Sequence, residues 1–103
     1  MVNAARGEVA LTLNGEDRVM RLTLGALAAL EARLECRSLV ALAEKFDAGD
    51  VSSAELIALL AAGLTGAGTP VSEDDVANAE IAGGAVGAMR AGLALISAAF
   101  RAE

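Results

Sequence analysis

Residues 8–34, EVALTLNGEDRVMRLTLGALAALEARL, constrain the fold more than any other part of the chain. Two short alternating segments flank an Asn-Gly pair, and a helical pattern begins directly after them. In residues 8–13, Val9, Leu11 and Leu13 fall on one face of a strand and Ala10 and Thr12 on the other, because strand side chains alternate. Asn14, Gly15, Glu16 and Asp17 read as the turn, since Asn-Gly readily takes the positive φ angles of a tight hairpin. Residues 18–22 then return, with Met20 and Leu22 two apart. Thr23 is placed to cap a helix that carries Leu27, Leu30 and Leu34 along one side. A two-stranded hairpin is marginal alone in water, so helices must cover its apolar face. The expected architecture is α+β, mostly α: an N-terminal β-hairpin packed against four or five short helices. It forms one domain, residues 8–103, behind a flexible N-terminal arm, residues 1–7.

The remainder of the chain supplies those helices. The first is expected over residues 24–35. Ser38 starts a second over residues 39–48, where Leu39, Leu42, Ala43 and Phe46 recur at helical spacing and Gly49 supplies a stop. Ser52 followed by Glu55 is a capping box for a third helix over residues 53–64, whose apolar face is Leu56, Leu59, Leu60 and Leu64. Gly63 on this helix suits close approach of a neighbour. Gly66, Gly68 and Pro70 break the chain. Ser72 caps a fourth helix, with Glu73, Asp74 and Asp75 in a first turn that favours negative charge, and Val71 and Val76 form a hydrophobic staple. This helix is expected to weaken after Ile81 at Gly83-Gly84. A last helix, residues 86–101, then aligns Val86, Met89, Leu93, Ile96 and Phe100.

Composition narrows the chemistry. At 103 residues there is room for one core, and Phe46 and Phe100 are the only aromatics, so that core is aliphatic and thin. A net charge of −6 argues against nucleic acid, whose phosphates need a basic surface. Arg33, Arg37 and Lys45 are interleaved with Glu31, Glu35 and Glu44, which reads as a solvated face. No apolar run approaches the roughly 20 residues that cross a bilayer, and the N-terminus lacks the apolar stretch of a signal peptide. A cytoplasmic protein without membrane contact is expected. Cys36 is the sole cysteine and histidine is absent, which removes a Cys-His nucleophile and argues against a zinc site. Helix capping accounts for the acidic trio at 73–75, and the glycines at 63, 66 and 68 lack the strand and Lys-Ser/Thr of a phosphate loop. The chain reads as a non-enzyme with no catalytic residue, no metal and no cofactor.

What remains is surface for protein binding. The segment 8–13 carries only Glu8 as a charge and no proline, so its outer edge is a candidate for strand addition through Val9, Ala10, Leu11 and Thr12. The alternative is that the arm or a helix covers this edge. Leu93, Ile96 and Phe100 either close the core or form an apolar stripe for a partner.

The order of several short patterns resembles the small tail assembly chaperone family of phage-like gene transfer agents, also labelled a tail tube protein. They begin with Arg6-Gly7-Glu8-Val9 and Leu13-x-Gly15. Leu22-Thr23-Leu24-Gly25-Ala26-Leu27 and Leu30-Glu31 follow at the strand-to-helix junction. Then come Leu39-x-x-Leu42-Ala43, Phe46-x-x-Gly49-Asp50, Leu59-x-x-Ala62-Gly63-Leu64 and Val71-Ser72-x-Asp74-x-Val76. The resemblance spans residues 6–81. It departs from the pattern at Glu35-Cys36-Arg37, where such proteins often place a glycine. It implies a non-enzymatic chaperone that coats the tail tape-measure protein, hides its apolar helices and helps tail-tube subunits polymerise around it, with self-association open. A structural tail subunit retained in the particle is the second reading. A small regulatory or toxin–antitoxin-like binding module is the third.

Overall fold

The computed structural model describes residues 2–3 and 6–101. The elements run β1 (Val9–Leu13), β2 (Glu16–Met20), α1 (Leu24–Leu34), α2 (Leu39–Asp47), α3 (Ser53–Gly66), α4 (Glu73–Ala77) and α5 (Gly84–Arg101). A hairpin followed by five helices is the architecture the sequence implied. The arm expected over residues 1–7 includes Met1, Ala4 and Ala5, which lie outside the described residues, as do Ala102 and Glu103. Nearby, the Arg6 and Glu8 N–H groups both donate to the Asn3 carbonyl, at 3.0 and 3.1 Å.

The hairpin turn is tighter than expected. β1 and β2 pair antiparallel with Leu13 opposite Glu16 and Val9 opposite Met20, leaving only Asn14 and Gly15 in the loop. Both have positive φ, 53° and 78°. A two-residue turn of this kind matches the right-handed twist of the strands it joins. The second strand therefore starts at Glu16 rather than Arg18. Glu16 and Asp17, polar enough to be read as turn residues, are exposed strand residues. The faces hold as expected: Leu11, Leu13 and Met20 are buried, and Ala10 is exposed.

Local capping signals define the helix starts. The Thr23 hydroxyl accepts from Ala26 N–H at 3.0 Å, and the Ser38 hydroxyl from Ala41 N–H at 3.1 Å. Ser52 and Glu55 form the reciprocal box, as do Ser72 and Asp75. Each such cap satisfies first-turn N–H groups that have no partner within the helix. α1 ends one residue earlier than expected. Glu35 takes a left-handed conformation (φ 57°, ψ 33°), and its N–H and that of Cys36 both reach the Glu31 carbonyl.

The fourth helix is much shorter than its capping signals suggested. It stops at Ala77, because the following residues are drawn into pairing with the hairpin. Leu13 and Ile81 form an antiparallel bridge, flanked by Asn14 N–H to the Glu80 carbonyl (2.7 Å) and Ala82 N–H to the Thr12 carbonyl (3.2 Å). Tertiary pairing here overrides helix propensity. α5 then begins at Gly84, two residues before the expected start.

α3 is the hub. It packs against α1, β2, α4 and α5, and Leu59, Leu60 and Leu64 are at most 1% exposed. Ala58, Ala61 and Gly63 are buried with them. A Cβ at Gly63 would sit 2.6 Å from Leu95 Cδ2 and 3.1 Å from Met20 Cβ, so both neighbours reach the helix backbone. Leu30, Leu42, Phe46 and Val76 complete the core from the surrounding helices.

Leu30→Ala and Leu59→Ala should each lower unfolding free energy by ~2–5 kcal/mol, measured by urea titration. Glu35→Gly should raise it by about 0.5–1 kcal/mol. Removing the left-handed strain gains more than the added unfolded-state entropy costs.

Candidate docking surface

The sequence placed binding at two regions, and the structure brings both to α5. Along β1, Val9 and Thr12 are half-buried, Ala10 is exposed and Leu11 is in the core at 4% exposure. Since the Asn14 N–H and Thr12 carbonyl bond outward to residues 80 and 82, strand alternation turns the Ala10 N–H and carbonyl to the same outer edge. The Leu13 end of that edge is thus covered by the segment around Ile81. This cover was missed because its partners lie 66 residues apart, as in the Glu80 N–H bond to Asn14 Oδ1 at 2.8 Å. At the other end, the Glu8 N–H is taken by Asn3. Between these covers, β1 and the first two-thirds of α5 wall a groove of 490 Å³, with Gly87, Arg90, Ala91 and Ala94 on the helical side.

The outer edge of β2 is managed differently. Arg21 N–H donates to the Gly63 carbonyl at 2.8 Å, and Glu16, Asp17 and Arg18 place charge along the rest. Charged edge strands resist pairing with other chains. Arg18 and Glu16 form an exposed ion pair at 3.2 Å.

The C-terminal stripe divides between core and surface. Ile96 is buried at 4% exposure, whereas Leu93 and Phe100 are 38% and 50% exposed, and Val86, one helical repeat earlier, is 67% exposed. Leu93 and Phe100 flank a shallow groove closed on the other side by Ala43, Phe46 and Asp47 of α2. Val86, Leu93 and Phe100 are seven residues apart, which keeps them on one slowly turning stripe.

Ion pairs hold the helices that flank these surfaces. Lys45 of α2 pairs with Glu55 at the start of α3, 3.1 Å away and partly shielded. Arg33 of α1 grips Glu73 with two parallel bonds of 3.1 Å, although both side chains are well exposed. The charges read as a solvated face thus include two tertiary partners. Of the acidic trio, Asp75 serves the Ser72 cap and Glu73 serves Arg33. Among the described residues no three metal-ligating side chains converge. Cys36 is half-buried against the core edge. No helix of the described residues is long and apolar enough to cross a membrane.

The sequence matches the family described as phage tail tube protein, GTA-gp10, over residues 6–102. The chain belongs to this family. It is therefore a tail-related protein of the gene transfer agent kind, and the match includes α5, beyond the residues 6–81 that carried the resemblance in the sequence. No curated protein and no solved structure matches the chain.

Three ionisable groups couple this scaffold to pH. The Ser52 N–H bond, reinforced by Lys45, holds the Glu55 carboxyl below its ordinary 4.5. The Ser72 N–H bond holds Asp75 below 3.8. The Glu55 hydrogen bond holds Lys45 above 10.5. A lowered acid stabilises the fold above its unfolded-state pKa and loses that effect as pH falls through the folded value. A raised base stabilises below its unfolded-state pKa and loses it as pH rises through the folded value. Melting temperature should therefore be flat through neutrality, fall below about pH 4.5 and fall again above about pH 10.5. Glu55→Gln should blunt both slopes in a thermal scan.

Proposed function

We propose that this chain is a non-enzymatic tail assembly chaperone of a phage-like gene transfer agent. It binds the tape-measure and tail-tube proteins while the tail is built in the cytoplasm, and it leaves before the particle is complete. Family membership supplies the tail context. The single structural observation supporting a chaperone is the exposed stripe of Val86, Leu93 and Phe100, three large apolar side chains in register on one helix, whereas Leu24 and Val40, also well exposed, stand singly on α1 and α2. Large apolar side chains exposed in register suit a partner that presents apolar helices. Phe100 and Leu93 border a groove into which one side chain of such a helix fits, against Ala43 and Phe46.

The family description as a tail tube protein supports the second reading, a subunit that stays in the tail. Mass spectrometry of purified particles separates the two. A chaperone is absent from finished particles but recovered with tape-measure protein from assembling cells, whereas a tail subunit is present in fixed ratio.

Leu93→Asp and Phe100→Asp remove side chains that are about half covered and should lower unfolding free energy by about 1–2 kcal/mol with the fold retained. Each should weaken co-purification with tape-measure protein at least tenfold, the scale of a central interface residue. Full retention of binding by the double variant would remove the stripe as the docking surface.

A further inference from the structure

The geometry points to the groove between β1 and α5 as a second binding site, separate from the outer stripe, that takes a short extended peptide with an acidic side chain. Three observations carry it. First, the outer edge of β1 is covered at both ends but open in the middle, where the N–H and carbonyl of exposed Ala10 have no partner among the described residues. An incoming strand satisfies both groups at once, and alternation brings the Thr12 N–H and Glu8 carbonyl to the same side. The opening accommodates about three residues of strand before the segment around Ala82 or Asn3 blocks it. Second, Ala10 lines a groove whose other wall is α5, with Gly87, Ala91 and Ala94 facing it. Residues this small leave space for apolar side chains projecting from alternate positions of the added strand. The helical wall also disfavours a second folded copy, whose own hairpin would have to occupy the same space, and selects an isolated extended segment.

Third, the charge of the groove is opposite to that of the protein. Among the described residues Arg90 is the only charged one in the lining, and it is exposed with no ion-pair partner among them. β1 has no charge, and α5 contains no acidic residue anywhere between Gly84 and Arg101. In a chain of net charge −6, a guanidinium beside strand groups that no described residue pairs favours a carboxylate on the ligand. The ligand is thus a segment alternating apolar and acidic residues, bonded through its backbone to Ala10 and through one carboxylate to Arg90.

The test uses the full chain labelled with nitrogen-15 and two capped hexapeptides, one alternating Val with Glu and the other Val with Lys. At roughly 1 mM, the range that a few backbone bonds and one charged pair reach, the acidic peptide should shift the Ala10 and Thr12 amide signals. The basic peptide should shift them far less. Arg90→Glu should weaken the acidic peptide at least tenfold and invert the preference. Ala94→Leu, which fills the exposed wall without touching the core, should weaken it while leaving the melting temperature unchanged. The proposal is overturned if both peptides shift the same signals equally, if neither reaches Ala10, or if Arg90→Glu has no effect. Concentration-dependent shifts at Ala10 without peptide, with a dimer in light scattering, would assign the edge to a second copy and also overturn it.

Discussion

The fold depends on how closely two elements approach the backbone of α3 at Gly63. Met20 at the end of β2 and Leu95 in the middle of α5 both occupy the space a side chain would take there. The Gly63 carbonyl meanwhile accepts from Arg21 N–H, so one residue receives the hairpin by hydrogen bond and by packing. A core whose single aromatic is Phe46 cannot bridge wide gaps between elements, and it reaches native density only by bringing backbones together. Small residues do this repeatedly. Gly92 of α5 lies against Leu56 and Leu59, and Ala58 and Ala61 lie beneath the elements that cross α3. The high alanine and glycine content is thus a packing solution as much as a helix preference.

Much of this was legible because it is encoded locally. Thr23, Ser38, Ser52 and Ser72 each announce a helix start through bonds spanning three residues, and all four are made. Asn14-Gly15 likewise announces the turn. Failures occurred where a distant partner decides the outcome. Nothing near Ala77 stops α4 as strongly as its own capping box starts it. The stop comes from Asn14, whose backbone and side chain both bind Glu80. Glu16 and Asp17 misled for a related reason. Polar residues after Asn-Gly extend the apparent turn, but on an exposed edge strand polarity is what limits unwanted pairing.

The proposed binding surfaces were legible only in outline. A helical period identifies the residues sharing a stripe but not where the stripe meets solvent. Leu93, Ile96 and Phe100 share the period, yet only Ile96 turns far enough towards α2 and α3 to be buried. Similarly, the uncharged sequence of β1 indicated an available edge but not its extent. That extent is set by Asn3 and by the segment around Ile81, and the groove itself exists only because α5 crosses beside it. Arg90 carried no sequence signal, being one exposed arginine on an amphipathic helix until β1 is placed opposite it.

Both surfaces therefore belong to one helix. Gly87, Arg90, Ala91 and Ala94 cluster on one flank of α5, and Val86, Leu93 and Phe100 on the other, about 110° apart around the axis at 3.6 residues per turn. Between them on the inner side, Ala88, Gly92, Leu95 and Ile96 anchor the helix to α3. An anchor on the inner face leaves α5 no freedom to roll, so a ligand on one flank does not hide the other. A tail protein could then present an apolar helix to the stripe and an extended acidic segment to the groove at once. Two modest contacts joined by one partner bind far more tightly than either alone when the linker spans them. A small body that offers a few exposed apolar side chains and a short open strand edge gains most from that arrangement.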